Sequence, residues 1–97
     1  EPSETGWLRF MPCYPNPLNG RTVIIGHLFK PFDIRVGIYD SLGRQITLLK
    51  EGPAPAGKLK LEWDGHTSSG MPAPSGVYFC CIQFGGSMVT RKIALVH

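Results

Sequence analysis

Residues Lys58-Leu59-Lys60-Leu61-Glu62-Trp63 alternate charged and apolar side chains without a break. In an extended chain that period puts Leu59, Leu61 and Trp63 on one face, whereas a helix would scatter them around its circumference. The same alternation places Ile34, Val36 and Ile38 together within residues 34–39. It also aligns Tyr78, Cys80, Ile82 and Phe84 within residues 77–84. Apolar runs at residues 7–11, 23–29, 46–49 and 88–96 bring the candidate strands to about seven. No apolar stripe of helical period persists through ten residues.

The connecting segments agree with strands. Asp40-Ser41-Leu42-Gly43 reads as a type I turn closed by Gly43 in the left-handed region, and Gly85-Gly86 as a two-residue hairpin turn. Residues 52–57, with two prolines, read as a stiff loop, and residues 64–75 as a longer one. Twelve glycines and nine prolines among 97 residues suit such a turn-rich chain. The predicted fold is all-β, an immunoglobulin-like antiparallel β-sandwich of about seven strands. Its core is expected to hold Ile34, Val36, Ile38, Leu59, Leu61, Trp63, Tyr78, Ile82 and Phe84. Neighbours on a strand face opposite ways, so Cys80 is expected inside and Cys81 outside. With Cys13 the cysteines number three, which neither requires nor excludes one bridge from Cys13 to Cys80 or Cys81.

Several function classes fall away. A net charge of +3, spread over basic residues that mostly stand alone, forms no nucleic-acid stripe. No apolar run approaches the roughly 18 residues of a membrane span. His27, His66 and His97 share no metal-ligand spacing, and Ser68, Ser69 and Ser75 sit in no nucleophile elbow. The loop Asp64-Gly65-His66-Thr67-Ser68-Ser69-Gly70 carries a single acid, too few for a calcium loop. No catalytic residue, metal or cofactor is expected, and aromatic residues such as Tyr39, Trp63 and Tyr78 are assigned to core or rim.

The segment Cys13-Tyr14-Pro15-Asn16-Pro17-Leu18-Asn19-Gly20-Arg21-Thr22 contains no N-x-Ser/Thr acceptor, because Pro17 follows Asn16 and Gly20-Arg21 follow Asn19. Pro15 and Pro17 fix φ near −65° and bias Tyr14 and Asn16 toward extended geometry, so the segment reads as a stiff lead-in to the first core strand. Residues 1–12, opening on polar Glu1 to Gly6 without a signal-peptide pattern, are expected to be a linker end and a candidate first strand. Residues 13–97 are the expected domain, cut from a longer protein.

Taken in order, Tyr14-Pro15-Asn16-Pro17, Ile38-Tyr39-Asp40-Ser41-Leu42-Gly43-Arg44, Trp63-Asp64-Gly65, Ser69-Gly70, Pro74-Ser75-Gly76-Val77-Tyr78-Phe79 and Arg91-Lys92-Ile93 resemble a known pattern. It is that of the C-terminal immunoglobulin-like sorting domains (type A) of the type IX secretion system and the related Ig-like domain of the flagellar hook-capping protein. The resemblance implies a non-catalytic C-terminal module of a larger secreted bacterial protein. Such a module acts as the signal for translocation across the outer membrane and for surface attachment. It implies passage through the periplasm, a secreted or cell-surface location, and as partners an outer-membrane translocon, surface-processing machinery and the upstream cargo of the same chain. Pro74, Gly76 and Tyr78 match the family's PxGxY element, and Arg91, Lys92 and Ile93 its basic-then-apolar last strand. The alternative reading is an accessory module that binds glycan or protein, or spaces a secreted enzyme from the surface. The chain ends Val96-His97, whereas family members commonly finish on a basic residue.

Overall fold

Alternating apolar residues bury themselves only when two sheets turn their apolar faces toward each other. A computed structural model describes residues 8–10 as backbone and residues 22–95 in full. Its strands are β1 (Leu8–Phe10), β2 (Thr22–Leu28), β3 (Phe32–Asp40), β4 (Gln45–Ala54), β5 (Gly57–Trp63), β6 (Gly76–Phe84) and β7 (Ser87–Leu95). Six are long and β1 is a three-residue strand. They form an antiparallel sheet of order β1-β2-β5 and another of order β4-β3-β6-β7. The all-β immunoglobulin-like sandwich expected from the alternation is the observed fold.

The core follows the same period. Ile34, Val36 and Ile38 of β3 face Leu59 and Trp63 of β5 and are buried together with Tyr78, Cys80, Ile82 and Phe84 of β6. Ile24 and Leu28 of β2 and Val89, Ile93 and Leu95 of β7 complete the packing. Leu61 lies on the predicted face but is only half-buried, whereas Leu59 and Trp63 of the same strand are buried. Cys80 is buried and Cys81 half-buried on the opposite face, as strand geometry requires. Cys13, and with it the question of a bridge, lies outside the described residues.

One predicted loop is part of a strand. β4 continues through Gly52 and Pro53 to Ala54, pairing Asp33 with Pro53 and Phe32 with Ala54. Proline survives there because β4 is an edge strand, where one backbone side needs no ladder donor. Ala54 is also buried, which ties the strand's end to the core. The hairpin turns match their sequence signals. Gly43 has φ 85°, and Gly85 and Gly86 have φ 50° and 81°, the positive pair that a two-residue hairpin demands. Gly85 is doubly constrained, since a Cβ there would stand 2.7 Å from Phe32 Cε1.

Ile82 is fully buried, so Ile82→Ala should lower unfolding free energy by about 2–5 kcal/mol. Leu61→Ala should cost roughly half as much, since less apolar area leaves water there. Urea unfolding of both variants checks the ranking, and equal losses would mean the β5 edge is better covered than its geometry indicates.

Candidate functional site

Among the described residues, the resembling segments around Asp40, Trp63, Gly76 to Tyr78 and Ile93 meet at one end of the sandwich. β3 ends there at Asp40, β6 starts at Gly76, β5 ends at Trp63 and β7 reaches Leu95. Register pairs Asp40 with Tyr78, Tyr78 with Ile93, and Gly76 with Leu95. Trp63 of the other sheet meets Tyr78 edge-on, with ring centroids 5.2 Å apart and planes at 63°.

Each polar group of this cluster holds backbone. The Tyr78 hydroxyl donates to the Pro74 carbonyl at 2.6 Å, four residues upstream, the arrangement of a tyrosine corner. Trp63 Nε1 donates to the carbonyl of His66 at 3.0 Å. Two buried aromatic rings thereby clamp both ends of the loop between β5 and β6. Inside that loop Asp64 Oδ1 accepts the His66 amide at 3.0 Å, and Ala73 N–H donates to the Gly65 carbonyl at 2.8 Å. Thr67 N–H donates to the Met71 carbonyl, and Ser68 N–H reaches back to Ile46 of β4. Gly65 is buried at φ 80°, where a side chain would be strained. The Asp64 loop is thus a folded structural turn.

Asp40 builds the turn between β3 and β4. Its Oδ1 accepts the amides of Leu42 and Arg44 at 2.9 Å each, and Arg44 Nε donates to its Oδ2 at 2.8 Å. The Arg44 amide first, then the Arg44 side chain and the Leu42 amide, hold the Asp40 carboxyl below the ordinary carboxylate range against the opposing effect of burial. Burial, followed by the nearby charge of Asp40, pushes the Tyr78 phenol above its ordinary value. Tyr78 therefore stays a donor throughout the neutral range.

The predicted recognition residues do not form one patch. Pro74, Gly76, Tyr78 and Ile93 gather at this end. Arg91 pairs with Cys80 on the inward face and is half-buried, with Nη1 donating to Thr90 O at 3.1 Å. Lys92 pairs with Phe79 on the outer face and is exposed. Adjacent basic residues on a strand point opposite ways, so Arg91-Lys92 is no basic pair in space. Tyr14, Pro15, Asn16 and Pro17 lie outside the described residues. Among the described residues no group of three or more His, Cys, Asp or Glu side chains is placed to hold a metal ion, and no helix is long and apolar enough to cross a membrane.

Sequence reading did not single out the groove beside this cluster. It measures about 250 Å³ and runs between the turn at Leu42 and Arg44 and the segment from Pro74 to Tyr78. Leu42, an apolar residue at a turn tip, was the available signal. A second concavity of about 440 Å³ lies on the outer face of the larger sheet, lined by Tyr39, Phe79, Cys81, Met88 and Thr90 among others.

Residues 30–83, more than half of the chain, match the FlgD Ig-like domain family. The chain belongs to this family. A comparison with curated proteins gives no match. Among solved structures, this FlgD-type Ig-like domain is similar to part of dimeric latent PorU from Porphyromonas gingivalis, with TM-score 0.64 and 18% identity. The likeness covers 92% of this chain and 9% of PorU, and at that identity it is one of fold.

Because the Asp40 carboxyl is held low, its stabilisation is full above the ordinary carboxylate range and is lost as pH falls through the folded value. Asp40→Asn should therefore destabilise the domain at neutral pH, and the gap to the natural chain should narrow as pH falls below the ordinary carboxylate range of about 4. Unfolding curves across that range test this, and a gap independent of pH would assign the loss to altered turn geometry.

Proposed function

We propose that this Ig-like domain is a non-catalytic module at the C-terminal side of a larger secreted bacterial protein, where it serves as the sorting signal for outer-membrane translocation and surface attachment. The observation that carries this reading is the convergence of the described segments around Asp40, Trp63 and Tyr78 at one end of the sandwich. Their polar side chains hold turns and loop, and the rigid surface so made is available to a partner. A module suits a fold that also occurs as 9% of the much longer PorU. In this reading the partners are an outer-membrane translocon, the processing machinery at the surface and the upstream cargo; Pro74, Gly76 and Lys92 contribute to the recognised surface, and buried Tyr78 shapes it from below. The outer-face concavity, with Tyr39, Phe79 and Met88, supports a second reading as an accessory module that binds protein or glycan.

A fusion of the whole chain behind a neutral reporter with a periplasmic export signal tests the sorting reading. In a host with the type IX system the fusion should reach the cell surface or medium. Deleting residues 91–97 is a poor control, because Ile93 and Leu95 belong to the core and their loss unfolds the domain. Lys92→Glu changes the exposed outer face without touching the core and should reduce export. If the intact fusion folds yet stays periplasmic, sorting is wrong and the accessory reading replaces it.

A further inference from the structure

The groove between the β3–β4 turn and the start of β6 presents chemistry that neither wall needs for folding. Leu42 sits at the turn tip with 76% of its surface exposed, where turns ordinarily place polar residues or glycine. Val77, across the groove, is 40% exposed. Leu42 is largely in water and Val77 partly so, and the exposed apolar area of both, lining one groove, can cover an incoming apolar group.

Arg44 lines the same groove. Its Nε is fixed by Asp40 Oδ2 and its amide by Asp40 Oδ1, so the side chain is anchored at its base. The Arg44 side chain is nevertheless 73% exposed, while the Asp40 side chain is only 14% exposed. Solvent therefore meets Arg44 far more than Asp40. Among the described residues the two Nη groups have no partner, and their fork matches a carboxylate. An anchored arginine loses little freedom on binding. At about 250 Å³ the groove is smaller than the roughly 300–1,000 Å³ of typical small-molecule sites and suits one or two side chains.

We propose that this groove docks a peptide segment of a partner protein that presents an aspartate or glutamate flanked by an aliphatic or aromatic residue. The carboxylate takes the Arg44 fork, and the flanking residue lies between Leu42 and Val77. This deepens the sorting reading by giving the partner's chemistry; that the segment belongs to the export machinery rests on that reading, whereas the groove's preference does not.

The test is an NMR titration of the whole 97-residue chain. The probes are blocked pentapeptides Gly-X-Asp-X-Gly, with X as Leu, Val or Phe, and their Asn counterparts. The expected result is shifts confined to Leu42, Gly43, Arg44, Ser75 and Val77. The Asn peptides should bind roughly fivefold more weakly, the difference between a charge-assisted and a neutral hydrogen bond. Leu42→Ser, which leaves the core untouched, should weaken binding by a similar factor, as should Arg44→Gln with an otherwise unchanged spectrum. Equal binding of Asp and Asn peptides, shifts elsewhere, or none at about 10 mM peptide would overturn the groove. The same two substitutions in the reporter fusion separate the claims. If the unaltered fusion is exported and both variants are exported equally, sorting stands and the groove has no part in it. If the unaltered fusion is not exported, sorting fails and the titration alone decides the groove.

Discussion

The contact between Trp63 and Tyr78 joins the two sheets at the end where the described segments around Asp40, Trp63 and Tyr78 meet. Trp63 ends β5 of one sheet, and Tyr78 stands near the start of β6 in the other. Each ring is buried in the common core and sends its one polar atom outward to a carbonyl, Trp63 to His66 and Tyr78 to Pro74. Buried aromatic residues with a polar tip satisfy two demands at once, packing and hydrogen bonding. The loop between β5 and β6 is therefore closed from below by the core. Asp40, opposite Tyr78 in the register, holds the neighbouring turn from the same position. Turn, loop and corner form one frame because they share these side chains.

This arrangement gives physical meaning to the resemblance. Asp40 and Gly43 recur in such a pattern because a carboxylate must accept turn amides and a glycine must take positive φ. Pro74 and Tyr78 fit the pattern because a carbonyl and a hydroxyl meet four residues apart. These are reasons of fold. Function lies in what the frame displays, and on this chain it displays Leu42, Arg44 and Val77. The first two stand on a turn whose backbone is already secured by Asp40. A surface built on so rigid a base loses little entropy when a partner binds.

Strand positions and their inward faces were legible because alternation is a local property of the chain. What depends on neighbours in space was not. Leu61 looks equivalent to Leu59 in sequence, yet it is half-buried where Leu59 is buried, a difference set by what the opposite sheet places over each. Pro53 reads as a loop residue until β4 proves to be an edge, where its missing donor costs nothing. Arg91 and Lys92 read as a pair until the register sends one to the core side and the other to solvent. The groove at Leu42 was hidden for the same reason, since its two walls are more than 30 residues apart in the chain and meet only through the β3–β6 pairing.

The central claim is that the loop between β5 and β6 is held by the aromatic corner rather than by its own hydrogen bonds. Native-state hydrogen exchange of Tyr78→Phe, which removes one hydroxyl and keeps the ring, addresses it directly. The Thr67 and Ala73 amides, both bonded within the loop, should exchange faster by the same factor as the slowest amides of the β6–β7 ladder. That factor is about fivefold for a hydrogen bond contributing about 1 kcal/mol. Unchanged exchange at Thr67 and Ala73 beside a weakened ladder would show that the loop closes independently of Tyr78, and would contradict the account.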